Sequence, residues 1–402
     1  MGDILFISQR IPYPPDKGDK IRSYRALLHL GEHRRIHLGT FIDDPDDFRH
    51  IPVMENMCES VHIAKLNPLV ARLKSLKAFL TGAPLSLPYF YDKALEKWIT
   101  TTLDTHDIDA VFVFSSAMAQ YVLNLKKKPR CVLMDFVDAD SEKFRQYALE
   151  RGFLAKFVYG REGKKLLAFD RQVAGHADAS FFVSQAEADL FRRLAPETSS
   201  KTFGLSNGID TDYFDPSKVT VPKADLPAYG PGPNIIFTGR MDYKPNVDAV
   251  CWFTRNVLPG LLAEKPQVRF IIAGAAPTPA VMALAANPAV EVTGRVDDMR
   301  PWLAHADLAV APMAIGRGIQ NKVLEAAAMA RPVLTTPEGL AGIDLVPGKH
   351  LFVAKGAEAF GQAVLDSLDN PDRDQIGIAA RDYLIRHYSW TARMALLDDF
   401  LP

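Results

Sequence analysis

The feature that most constrains this chain is a repeated alternation of short apolar runs, rich in β-branched residues, with segments of helical spacing. Residues 3–8, 36–42, 110–114, 132–136 and 179–184 are such runs in the first half, and 235–239, 268–273, 290–294, 308–311 and 333–336 in the second. A strand with one solvated face alternates apolar and polar side chains. Most of these runs are continuous instead, which predicts parallel strands covered by helices on both faces. Helical segments such as 247–262 and 322–330 fall between them. The β-α-β-α order of both halves predicts two doubly wound α/β domains.

The halves meet at a stretch suited to neither element. Residues 216–233 hold Pro216, Pro222, Pro227, Pro231 and Pro233 with Gly230 and Gly232, and little apolar periodicity, so a linker is expected there. It divides a first domain, 1–215, from a second that starts at residue 234. A chain of 402 residues is long enough for two full cores without disulfide or metal staples.

Charge excludes one class of function. Forty-seven basic and forty-eight acidic residues leave a net charge of −1, which is not the balance of a bulk nucleic-acid binder. The average hides two basic stretches. No acidic residue occurs from Ser60 to Tyr91, where Lys65, Arg72, Lys74 and Lys77 stand, and residues 143–171 carry a net +5. Interleaved Leu, Phe and Tyr make both stretches amphipathic. That pattern suits an anionic membrane surface or a lipid-linked acceptor, and equally a helix packed on its own domain. Cys58, Cys131 and Cys251 are too few and too scattered for a disulfide framework or a zinc site, so a reducing compartment is expected. The amino terminus reads as a strand and not as a secretory leader. The longest charge-free run, 270–290, is interrupted by Gly274, Pro277, Pro279 and Pro288 and is not expected to span a bilayer. A cytoplasmic protein, at most peripheral at the inner face of the membrane, is the expectation.

Four stretches carry chemistry. The run 235–238 leads into Gly239-Arg240-Met241-Asp242-Tyr243-Lys244-Pro245-Asn246 and then a helix. A glycine there lets backbone approach a ligand, the helix start offers amides to an anion, and Arg240 and Lys244 suit a diphosphate. Taken alone, the loop is also an ordinary βα turn with two solvated cations. In Gly316-Arg317-Gly318-Ile319-Gln320-Asn321-Lys322-Val323-Leu324-Glu325, a carboxylate within two turns of a glycine loop suits a pair of ribose hydroxyls, and Lys322 a phosphate. An exposed Glu–Lys pair is the plainer alternative. Asn207-Gly208-Ile209-Asp210 falls where a hairpin is not expected. Gly18 stands at a helix start after Pro12-Tyr13-Pro14-Pro15. No G-x-G-x-x-G or G-x-x-x-x-G-K-[ST] motif follows the first strand, which counts against a dinucleotide oxidoreductase and a P-loop ATPase. The tripeptide D-x-D begins at Asp44, Asp107, Asp138, Asp210 and Asp372, too often to assign a metal, and no cofactor is expected.

Together these stretches resemble the retaining glycosyltransferases of family 4, which have the GT-B fold, two Rossmann-like domains facing across a cleft. Asn207-Gly208-Ile209-Asp210 with Phe214 resembles the N-G-[VI]-D signature. Gly239-Arg240 with Lys244 resembles the diphosphate-binding element, and Gly294-Arg295-Val296 the base-binding strand. Lys322-Val-Leu-Glu325-Ala-Ala-Ala-Met-Ala-Arg-Pro-Val resembles the most specific block. Ser389-Trp390 resembles the start of a last helix, 388–402, that crosses back to the first domain, which leaves 234–387 as the nucleotide-sugar domain. Pro12-Tyr13-Pro14-Pro15…Gly18-Asp19-Lys20-Ile21-Arg22-Ser23 and Asp135-Phe136-Val137-Asp138 are similar to the sugar transferases of bacterial PEP-CTERM exopolysaccharide systems.

The resemblance implies metal-independent transfer of a sugar from a nucleotide diphosphate sugar, foremost a UDP-sugar, to a glycan or lipid-linked acceptor with retention of configuration. It implies Arg240, Lys322 and Glu325 as the catalytic set. Gly239, Lys244, Gly294, Arg295, Gly318, Ile319, Gln320 and Asn321 are implied as donor-binding, Asn207 as substrate-binding, and Gly18 and Asp138 as facing the acceptor. The sequence departs from the pattern in four places. Gly318 stands where many members have a glutamate, Lys244 follows Arg240 by four residues in place of five, Asp19 replaces a second glycine, and Asp138 occupies the region where many members place a histidine. A nucleotide-sugar epimerase of the same fold, or a non-catalytic sugar-nucleotide-binding subunit of a polysaccharide assembly complex, are the alternative readings.

Overall fold

The structure, a computed structural model, describes residues 2–123, 125, 128–150, 153–222, 225–226, 229–314 and 319–402. The chain forms two compact units, Met1–Asn207 together with Arg393–Pro402, and Gly208–Ala392.

The first unit is built on strands β1 (Asp3–Ser8), β2 (Ile36–Ile42), β3 (Ser60–Lys65), β4 (Ile108–Phe114), β5 (Cys131–Val137), β6 (Ala179–Phe182) and β7 (Thr202–Gly204). They lie side by side in the order β3-β2-β1-β4-β5-β6-β7, every neighbouring pair parallel. The second is built on β8 (Asn234–Thr238), β9 (Arg269–Ala273), β10 (Val290–Gly294), β11 (Leu308–Ala311), β12 (Val333–Thr335) and β13 (Phe352–Val353), in the order β10-β9-β8-β11-β12-β13, again parallel throughout. The expected α/β class with two doubly wound parallel sheets is therefore what the chain forms. Every residue of β1, β2, β4 and β8 is buried, which is why these runs are continuous and do not alternate.

In each sheet the strand order reverses once, between β1 and β4 and between β8 and β11. Helices leaving adjacent strands at such a point go to opposite faces and open a crevice at the carboxyl ends of the strands. That is where a ligand site belongs in a sheet of this kind.

Three strands escape the apolar-run pattern. β3 is an edge strand whose residues are mostly half-buried, and β7 and β13 hold three and two residues. The helix expected over 247–262 is two helices, Lys244–Asn256 and Leu258–Glu264. Pro259 has no N–H to donate and its ring collides with the carbonyl four residues earlier, so Val257 steps out of the first helix with φ −114°. Described residues of the stretch 216–233 pack on the second unit, where Gly230 N donates to Asn234 Oδ1 at 3.0 Å and Val219 and Tyr229 lie against the core. The last residues form a short helix, Trp390–Met394, and a 3-10 turn, Ala395–Phe400. In the first unit the Phe400 ring packs on Phe203, with centroids 4.6 Å apart, and Asp398 meets His29 at 3.1 Å.

Candidate functional site

A cavity of about 250 Å3 opens in the second unit at the switch point, lined by Thr238, Gly239, Tyr243, Ile319, Gln320, Asn321, Lys322 and Glu325. Its floor begins at the end of β8. Gly239 has φ +148°, a conformation that L side chains rarely adopt, and a Cβ there would lie 2.6 Å from Asn246 Nδ2. Beneath it Gly274, at the end of β9, has φ +149°, and a Cβ there would lie 1.8 Å from the Gly239 carbonyl oxygen. Two backbones thus pass at a separation that only glycines allow. The Gly239 amide is committed to the Ala273 carbonyl at 3.1 Å, so this residue offers close approach and no free donor.

The helix Lys244–Asn256 offers fewer amides than its position suggests. Pro245 has no N–H, and Asn246 and Val247 both donate to the Tyr243 carbonyl. The helix Asn321–Ala328 differs. Its N-cap, Gln320, makes no side-chain cap, and the amides of Asn321 and Lys322 donate to no described residue. Those two amides and the Lys322 ammonium form the electropositive side of the cavity.

Lys322 is held by a short chain of contacts. Its Nζ donates to Asn246 Oδ1 at 3.0 Å and to Gln320 Oε1 at 3.2 Å, and lies 5.2 Å from the centroid of the buried Phe237 ring. Asn246 is itself fixed, because its Nδ2 donates to the Arg240 carbonyl at 2.9 Å. Burial pushes the Lys322 ammonium down to about 8, against the pull of Glu325. Glu325 stands on the same helix, and its carboxylate accepts no hydrogen bond from any described residue. Burial pushes its carboxyl up from the ordinary range, and Lys322 partly offsets this. A desolvated cation with neutral partners and a nearby carboxylate with none are groups lacking their complement, as a binding site for an anion carrying hydroxyls would have.

Other expected residues stand apart from the cavity lining. Arg240 is exposed and closes on Asp242 through Nη2–Oδ2 at 2.6 Å and Nε–Oδ1 at 3.1 Å. Lys244 is exposed, meets Asp248 at 2.8 Å and lines a neighbouring cavity of about 290 Å3 with Tyr243, Met313 and Gln320. Gly294 ends β10 with φ +67°, followed by an exposed Arg295. Gly318 lies outside the described residues. The sequence pattern gives neither Asn246 nor Gly274 a role in the site. The available signals were an asparagine, a poor helix former, in a first helical turn and a glycine directly after a strand.

Gly18, Asp138 and Asn207 belong to the first unit. Gly18 is exposed at the start of the helix Gly18–Gly31, and Asp138 Oδ2 accepts from Lys143 at 2.7 Å. Asn207 Oδ1 accepts from Arg22 at 3.0 Å. Arg22 is the hub of a buried network. Nε and Nη2 grip Asp135 at 2.7 and 3.1 Å, and Nη1 donates to the Leu205 carbonyl at 2.7 Å. The fork ties the first helix to the end of β5 and to the segment after β7.

Residues 232–370 match the family model described as "Glycosyl transferases group 1". A protein of Klebsiella pneumoniae described as "Uncharacterized 44.6 kDa protein in cps region" is 22% identical over 384 residues, 92% of each chain. Anabaena Alr3699/HepE, solved in complex with UDP, superposes with a TM-score of 0.64 at 15% identity over 99% of this chain and 98% of that one. Sucrose-phosphate synthase of Thermosynechococcus elongatus does so with a TM-score of 0.65 at 17% identity, over 99% and 98%. WaaG, a glycosyltransferase involved in lipopolysaccharide biosynthesis, gives 0.58 at 16% identity, over 99% of each. This likeness is one of fold. The chain has the two-domain α/β fold of the GT-B glycosyltransferases, and its second unit carries the segment that matches glycosyl transferases group 1.

Proposed function

We propose that this protein is a glycosyltransferase that moves a sugar from a nucleotide diphosphate sugar, foremost a UDP-sugar, to a glycan or lipid-linked acceptor with retention of configuration. The observation that carries the reading is the pairing of Lys322 with Glu325 in one cavity at the switch point of the second sheet. The group 1 match over the same unit and the UDP bound by a protein of like fold support it.

Breaking the bond from the anomeric carbon to the diphosphate develops negative charge on the leaving oxygen and positive charge on the sugar. In this reading the Lys322 ammonium, with the Asn321 and Lys322 amides, meets the diphosphate, and charge neutralisation lowers the barrier to its departure. Arg240 joins them by exchanging Asp242 for phosphate. Glu325 accepts from the two ribose hydroxyls, which fixes the nucleotide so that its diphosphate reaches the cation. Gly239 lets the donor lie against backbone. A cps-region relative supports polysaccharide synthesis as the setting, and an exopolysaccharide system at the inner face of the membrane is the narrower reading.

The test is a panel of UDP-, GDP- and other nucleotide sugars scored for binding and slow hydrolysis, with Glu325→Ala and Arg240→Ala as controls. One class of nucleotide sugar is expected to bind, and both variants to weaken it. If no nucleotide sugar binds, or both variants bind like the parent, the reading fails.

A further inference from the structure

The segment after β3 folds inside out. The helices Pro68–Ser75 and Lys77–Thr81 turn small side chains inward, with Ala71, Ser75 and Ala78 buried. Their large apolar side chains face solvent. Leu69 is 71% exposed, Leu73 69%, Leu76 57% and Leu80 90%. An amphipathic helix on a soluble domain normally does the reverse, because each leucine left in water forgoes the free energy of its burial. The arrangement is held firmly. Asn67 Oδ1 caps the first helix by accepting from Leu69 N at 3.0 Å and Val70 N at 3.3 Å. Arg161 donates to the carbonyls of Ala78 and Ala83, and Glu162 accepts from Leu85 N at 2.7 Å. Both anchors come from the helix Phe153–His176, which exposes Phe157 at 67% beside them.

The charges around this face have one sign. Arg72, Lys74 and Lys77 are exposed between the leucines, and Lys156, Lys164 and Lys165 are exposed on the anchoring helix. Among the described residues none of the six is paired with a carboxylate. Apolar side chains flanked by unpaired cations complement a surface with an apolar interior and anionic headgroups. We infer that the face formed by Leu69, Leu73, Leu76 and Leu80 inserts into an anionic lipid bilayer, with the surrounding lysines and arginines on its headgroups. The inference deepens the reading of a lipid-linked acceptor by naming the side chains that reach the membrane, and it stands or falls independently of donor binding.

The experiment is sedimentation of the whole chain with vesicles of phosphatidylcholine alone or mixed with phosphatidylglycerol. The parent is expected to bind the anionic vesicles more tightly than the neutral ones. The double variant Leu73→Ser/Leu80→Ser is expected to weaken that binding by at least about tenfold. Arg72→Gln/Lys74→Gln/Lys77→Gln, which removes three of the six cations, is expected to reduce the preference for phosphatidylglycerol, and an unchanged preference counts against the inference. Thermal melting of each variant, with both side-chain sets exposed, is expected to match the parent and so to separate loss of binding from loss of fold. No vesicle binding by the parent, or binding unchanged in the leucine variant, overturns the inference. So does a lipid-free dimer, detected by light scattering, that the leucine variant disperses, because a second copy then covers the face. UDP-sugar binding measured on the same variants is expected to be unchanged, and its absence from the parent would count against the donor site alone.

Discussion

The Lys322 ammonium lies 3.0 Å from Asn246 Oδ1, and Asn246 in turn donates to the Arg240 carbonyl. A cation on one helix is thus aimed by an amide on another, which is braced on the loop after β8. Replacing Asn246 by Ala leaves the ammonium Gln320 as its one amide partner and leaves the Arg240 carbonyl without the Asn246 amide. Stability is expected to fall by about 1–3 kcal/mol, read by urea denaturation. UDP-sugar affinity is expected to weaken about tenfold through lost positioning, read by calorimetry.

Protonation of Lys322 gives stability and binding opposite pH trends. Its folded pKa, about 8, lies below the ordinary lysine value of 10.5. Between these values the unfolded chain holds a proton that the folded chain has released, so this group's contribution to stability rises with pH from about 8 to 10.5. A diphosphate needs the charged form, so donor affinity is expected to fall as pH rises through about 8. Lys322→Met is expected to melt at or above the parent's temperature at pH 7 without ligand, to flatten the alkaline trend, and to bind UDP about 10–100-fold more weakly. Melting curves and calorimetry at pH 7 and pH 9 check both trends.

Glu325 has a different partner in the proposed donor. Glu325→Ala is expected to weaken UDP-sugar binding at least about tenfold while pyrophosphate binding stays close to the parent's. The same substitution is expected to leave the affinity for a 2′,3′-dideoxy nucleotide unchanged, because the hydroxyls it addresses are already missing. Competition binding with the three ligands makes the comparison.

Two glycines with positive φ separate backbone strain from collision. At Gly294, φ +67°, a Cβ would meet nothing within 4 Å, so Gly294→Ala is expected to cost only the left-handed conformation, about 1–2 kcal/mol. At Gly274 a Cβ would meet the Gly239 oxygen at 1.8 Å, so Gly274→Ala must also displace the floor of the cavity. It is expected to cost about 3 kcal/mol or more and to reduce nucleotide binding. Denaturation of the two variants side by side checks the order.

Arg22 and Asp135 are each 1% exposed and hold each other through two hydrogen bonds. Removing one partner strands a buried charge. Arg22→Ala and Asp135→Ala are each expected to lose about 3–5 kcal/mol, and the double variant Arg22→Met/Asp135→Leu much less than the sum. A double-mutant cycle by denaturation measures the coupling.

The alternation of apolar runs with helical spacing determined the class, because a strand buried on both faces must be apolar throughout and its parallel neighbour needs a crossover helix. Three of the four edge strands, β3, β7 and β13, were not legible in this way. β3 mixes Ser60, His62 and Lys65 with apolar residues, and β13 is two residues paired to β12, too short to register as a run although both are good strand formers. The break before Leu258 was readable from Pro259, yet the helical periodicity on both sides concealed it.

Local sequence determined which residues have the chemistry of the candidate site, since a glycine loop, a lysine and a glutamate three residues on are recognisable in a row. Only the tertiary structure decided what state they are in. Burial lowers the Lys322 pKa, Asn246 aims its ammonium from 76 residues away, and Gly274 lets the Gly239 loop lie where it does. It also turned Arg240 and Lys244 onto Asp242 and Asp248, pairings that the sequence alone left open. The physical reason is common to all of these. Desolvation, hydrogen bonding and close backbone approach are properties of a location in space, and residues distant in the chain create that location.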